Sequence, residues 1–125
     1  MTILIIGAGG LVGAIMRYLV GGWVNDAAGN PSFPYGTLAV NVLGCAAIGL
    51  LAGLAETRGI LSAEARAFLL VGLLGGFTTF SAFGLETITL VRDGALLAGL
   101  ANVGVQVVLG LGAVWAGLSV AQRVS

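Results

Sequence analysis

Lysine and histidine are missing altogether from this chain of 125 residues; cysteine occurs once, proline twice, and charged side chains make up only 8%. Each shortage excludes something. A soluble domain is about one quarter charged, so this chain has too few polar groups to cover its surface in water. Zero net charge and no basic run remove the electrostatic footprint of nucleic-acid binding. With no histidine, no acid pair and no nucleophile beside a base, no enzyme site is in prospect. Cys45 is alone in an apolar run; it forms no intrachain disulfide, lacks partners for a metal, and reads as a small packing residue.

What is abundant is apolar length. Hydrophobic residues are 58% of the chain and the mean hydropathy is +1.11. A membrane-spanning helix needs about 20 mostly apolar residues. Four stretches qualify, at about 3–23, 36–54, 67–91 and 95–121. The breaks between them hold nearly all the charge and both prolines: Asp26, Pro31 and Pro34, then Glu56, Arg58, Glu64 and Arg66, then the tight turn Arg92-Asp93-Gly94. These linkers are too short for a separate domain. The expected fold is therefore all-α and integral to the membrane, a single domain of four helices. The first stretch has no basic residue ahead of it, which argues for a retained helix over a cleaved signal.

Orientation is weakly specified. With the N-terminus inside, Arg58, Arg66 and Arg123 fall inside and Arg17 and Arg92 outside, hardly a positive-inside bias. Such a chain is expected to insert both ways, and opposite copies can pair about a two-fold axis in the membrane plane. Among 22 glycines, Gly9 and Gly13, Gly49 and Gly53, and Gly72 and Gly76 stand four apart, the spacing of close helix packing. They suggest a tight bundle without a wide aqueous pore.

The third stretch carries the strongest local signal, Gly72-Leu-Leu-Gly-Gly-Phe-Thr-Thr-Phe-Ser-Ala-Phe83. Paired glycines weaken a helix and hydroxyls compete for its backbone bonds. A break is expected near Gly75 to Thr79, exposing backbone groups able to hold an ion, as discontinuous transporter helices do. Phe80 and Phe83 share a helix face, and the positive edges of aromatic rings favour a small anion without a fixed charge. Asn41 is either a bridge between helices or an amide donor to an anion, with Thr37 one turn earlier. Asn102 and Gln106 form a second polar pair in the fourth stretch. Arg17 and Glu86 each cost roughly 3 kcal/mol at mid-membrane and so face protein or water. Arg17 either snorkels or draws anions into a vestibule; Glu86 repels an anion unless protonated, paired or set aside.

Gly7-Ala-Gly-Gly-Leu-Val-Gly13 imitates a dinucleotide-binding turn, but Val12 occupies the third glycine position and a soluble βαβ unit is lacking. Taken together, Gly9-Gly10, Gly13-Ala14, Arg17-Tyr18, Pro34-Tyr-Gly-Thr-Leu-Ala-Val-Asn41, Gly44, the third-stretch string and Glu86 resemble the Fluc (CrcB-type) fluoride channel family over essentially the whole chain. The resemblance implies an antiparallel, dual-topology homodimer in the cytoplasmic (inner) membrane, conducting fluoride passively through two pores. Its partners would be fluoride, membrane lipid and a second copy. It implies that Phe80 and Phe83 line the path, with Asn41 as amide donor and Thr79 and Ser81 as nearby hydroxyls. It also implies a structural Na+ on the carbonyls of Gly75 and Thr78, and matches Arg17 and Glu86 to the family's arginine and glutamate. Where many relatives carry hydroxyls in the fourth helix, Asn102 and Gln106 stand as substitute lining residues. Two rivals are a small dual-topology multidrug exporter, which needs an acid that the first helix lacks, and a structural membrane subunit, which needs no ion site.

Overall fold

The computed structural model describes residues 1–124. Four long apolar helices dominate it: α1 (Thr2–Ala27), α2 (Tyr35–Arg58), an interrupted third span and α6 (Leu96–Val124). The third span comprises α3 (Ala63–Arg66), a π-helical segment (Ala67–Leu74), α4 (Gly75–Phe77) and, after two extended residues, α5 (Phe80–Arg92). Each span is long and apolar enough to cross a bilayer. Leu11, Leu97, Leu111 and Trp115 are all more than 60% exposed, as expected where lipid takes the place of water.

The helices pair through missing side chains. α1 lies against the first half of the third span, and α2 against α6. A Cβ on Gly9 would come within 3.1 Å of the Gly72 Cα, and one on Gly72 within 2.6 Å of the Ile6 carbonyl oxygen. On the other side, a Cβ on Gly117 would lie 2.6 Å from the Leu50 amide nitrogen, while Gly49 and Gly53 meet Val114 and Ala121. All three glycine pairs read from the sequence thus sit at helix crossings. Backbones in contact gain dispersion and need no large core, which suits a bundle in lipid. Val40 and Asn102 are the largest fully buried side chains among the described residues.

The connections obey local chemistry. Gly59 ends α2 in the left-handed region at φ +60°, the usual helix stop. Gly94 at φ +86° turns the chain from α5 to α6, with the amide of Ala95 donating to the carbonyl of Leu90. Ser62 starts α3 by accepting from the Ala65 amide.

Candidate functional site

The break falls at Thr78 and Thr79, whose backbones are extended (φ −85°, ψ 158° and φ −150°, ψ 118°). Gly75 remains helical at φ −61°, ψ −39°, so the interruption occupies only the end of the expected interval. Two adjacent threonines make it. Thr78 turns its hydroxyl back to the Leu74 carbonyl at 3.0 Å, terminating α4. The Thr79 hydroxyl accepts from the Ala82 amide at 3.1 Å and so caps the start of α5. The Thr78 methyl occupies the space left by the absent side chain of Gly44.

Extended backbone inside a membrane must find partners. Asn41, projecting from α2, supplies both. Its Oδ1 accepts from the Thr79 amide at 2.9 Å and its Nδ2 donates to the Thr79 carbonyl at 3.0 Å. The same Nδ2 donates to Gln106 Oε1 at 3.2 Å. Asn41 therefore bridges α2, the break and α6. Arg17, on α1, donates through Nε to the Gly76 carbonyl at 3.2 Å, satisfying one carbonyl that the end of α4 leaves free.

A groove of about 370 Å³ opens beside the break, lined by Asn41, Thr78, Thr79, Phe80, Phe83 and Gln106 together with Gly75, Cys45 and aliphatic side chains. The rings of Phe80 and Phe83 meet edge to face, with centroids 5.3 Å apart at 62°. Phe83 is half-buried, whereas Phe80 is 82% exposed. A second cavity of about 260 Å³ shares Thr79 with the groove and is bounded by Arg17, Asn25, Thr37 and Ala82. Ser81 stands at the exposed start of α5, its hydroxyl 3.3 Å from that of Thr79.

Three predicted site residues line neither cavity: Ser81, Asn102 and Glu86. Asn102 is wholly buried and bonds to the Thr87 hydroxyl at 2.9 Å, so it borders neither space. Glu86 is half-buried, borders neither cavity, and has one shielded carboxyl oxygen without a hydrogen-bond partner among the described residues. Thr87 and the π-helical segment are features the sequence reading missed. A threonine four residues after Phe83 is the signal for the first, since its hydroxyl reaches that carbonyl at 2.8 Å. The chain gives no comparable signal for the second.

The arrangement offers an apolar, aromatic-walled groove with a small set of fixed amides, beside a second cavity lined by the Arg17 side chain. A family model described as CrcB-like protein, Camphor Resistance (CrcB), matches residues 4–118. The chain is 50% identical over 117 residues to a Rhizobium meliloti protein named "Fluoride-specific ion channel FluC", covering 94% of this chain and 93% of that one. An Agrobacterium fabrum protein of the same name is 44% identical over 123 residues, 98% of each chain. Methanosarcina barkeri has "Fluoride-specific ion channel FluC 3", 42% identical over 124 residues, 99% of this chain and 92% of its own. With its four membrane-crossing helices, the protein is a multi-pass protein of the cell membrane. A helix broken by two threonines and braced by Asn41, within a family match spanning nearly the whole length, places the chain in the CrcB-like family.

Proposed function

We propose that the protein is a passive, fluoride-selective ion channel, not an enzyme, which lets fluoride leave the cell down its gradient and so relieves fluoride toxicity. The observation that carries this reading is the groove itself, where an edge-to-face phenylalanine pair adjoins the amides at a helix break. The relatives' printed names support the choice of ion.

Fluoride is small and strongly hydrated, so a path must replace its water. Phe80 and Phe83 supply positive ring edges, and the second N–H of Gln106 with the hydroxyls of Thr79 and Ser81 supply hydrogen bonds, while Asn41, both of its amide hydrogens engaged, braces Gln106 and the break. α5 begins at the break, and its positive end favours an anion there. Arg17 stays in the second cavity, where its remaining N–H groups gather anions without holding one inside the groove. Glu86, one turn past Phe83, borders neither cavity and is set aside from the path.

The working unit is a homodimer of two antiparallel copies in the inner membrane, with two pores. Its support is the near balance of arginines between the two sides and the exposure of Phe80 and Gly75 on one face, which a second copy would cover. A structural Na+ is proposed between the copies. Backbone oxygens are the donors that fit it: the end of α4 frees carbonyls, Gly75 and Thr78 both border the groove, and the nearest atom to a Gly75 Cβ is 4.0 Å away. Bound there, the ion would offset carbonyl charge and tie the protomers together. In planar bilayers the purified protein should pass fluoride currents that reverse at the fluoride equilibrium potential and ignore a pH gradient. Currents that require a proton gradient would replace the channel with a transporter.

A further inference from the structure

Amide side chains inside a membrane protein need partners, and here three of them use one another. The orientation of each follows from backbone groups at the two ends. At one end the Thr79 amide can only donate, so it fixes Oδ1 of Asn41 as the acceptor, at 2.9 Å. Nδ2 of Asn41 then faces the Thr79 carbonyl at 3.0 Å and Gln106 Oε1 at 3.2 Å. That leaves Gln106 Nε2 directed to Asn102 Oδ1, the longest link at 3.5 Å.

At the other end the Phe83 carbonyl can only accept. Thr87 gives it the single hydroxyl hydrogen, at 2.8 Å, and must therefore accept from Asn102 Nδ2, at 2.9 Å. Both ends assign Asn102 the same orientation. The chain has one direction: Thr79 amide, Asn41, Gln106, Asn102, Thr87, Phe83 carbonyl. Both amide hydrogens of Asn41 are engaged within it. Gln106 has two amide hydrogens, of which the chain uses one, and it borders the groove.

We propose that Asn102 and Thr87 are positioning residues for anion selectivity. Together with Asn41, they keep the Gln106 carboxamide from flipping, so that its second N–H, not its carbonyl oxygen, serves the groove. They also tie that donor to the backbone of Phe83, holding it in register with the aromatic wall. Asn102 is 0% and Thr87 9% exposed and neither borders the groove, so both act through Gln106 and Phe83. A flipped Gln106 would present the negative end of its dipole to the ion. The proposal rests on the fluoride-channel reading.

The test is the fluoride-to-chloride flux ratio in liposomes, measured for the parent, Asn102→Leu, Thr87→Val and Thr87→Ser. Poor assembly lowers the number of active channels, but the ratio belongs to each open channel. Losing one oriented hydrogen bond should lower the ratio roughly fivefold to tenfold in Asn102→Leu and Thr87→Val. Thr87→Ser keeps the hydroxyl and should keep the parent's ratio. Should Asn102→Leu fail to assemble, the two Thr87 variants decide. Parent-like ratios in Thr87→Val and in any assembled Asn102→Leu overturn the proposal while leaving the channel reading intact. A parent without fluoride flux removes the channel reading and this proposal with it.

Discussion

Replacing the adjacent glycines Gly75 and Gly76 by alanine, one at a time, should have opposite effects. A Cβ on Gly76 would lie 2.7 Å from the Gly10 carbonyl oxygen and 3.1 Å from the Gly10 Cα. Both atoms are backbone, so α1 would have to move, and the crossing at Gly9 and Gly72 would open with it. Overpacking of this kind costs about 1–3 kcal/mol, against a gain of up to about 1 kcal/mol in helix propensity. With the full propensity gain set against it, the net expectation for Gly76→Ala is a loss of up to about 2 kcal/mol. Gly75 is helical and exposed, and its Cβ would meet nothing nearer than 4.0 Å. Within the protomer, Gly75→Ala should therefore be neutral or stabilising by up to about 1 kcal/mol. Its methyl group would instead obstruct the proposed antiparallel partner. Reversible unfolding in mixed micelles, followed by helical circular dichroism and the fluorescence of Trp23 and Trp115, reads protomer stability; gel filtration reads assembly. Gly76→Ala should lower the unfolding midpoint, while Gly75→Ala should keep or raise the midpoint and lose the dimer. Equal midpoint shifts for the two variants would refute the reasoning.

Three further outcomes are expected. Asn41→Ala leaves the Thr79 amide unpartnered in the membrane and should cost about 2–3 kcal/mol in the same unfolding assay; Asn41→Asp restores an acceptor without the donors and should recover only part of it. Phe80→Ile and Phe83→Ile keep apolar bulk but remove the ring quadrupole, so each dimer should run normally on gel filtration while fluoride flux falls up to about tenfold. Unchanged flux would reduce the rings to packing. Two or three arginines added at one terminus should force a single orientation and abolish function, with a C-terminal tag in the parent labelled from both sides of the membrane.

Much of the fold was legible because lipid imposes a simple rule: long apolar helices with charge confined to the turns. The glycine pairs were legible for a related reason, since small residues four apart are what let helix backbones meet in lipid. The break was legible only in outline. Gly75 and Gly76 are its most obvious cause on paper, yet close contact with Gly10 explains Gly76 without any unwinding, and the hydroxyls of Thr78 and Thr79 end one helix and start the next. The partnership of Asn41 with Gln106 was out of reach, because the two are 65 residues apart and no local pattern joins them. Of the two roles open to Asn41, bridging is the one its hydrogen bonds display. Asn102 and Gln106 looked alike as a polar pair one turn apart, but helix geometry gives them different neighbours. Gln106 borders the groove, and Asn102 is enclosed between α5 and α6.

Passive flux tests the central claim most directly. Purified protein should be reconstituted into liposomes loaded with fluoride, with the external solution followed by a fluoride electrode and a parallel preparation loaded with chloride. The account requires fluoride to leave down its own gradient, without ATP or a proton gradient, while chloride stays behind at a far lower rate. Liposomes as tight to fluoride as protein-free controls, or as leaky to chloride as to fluoride, would contradict it.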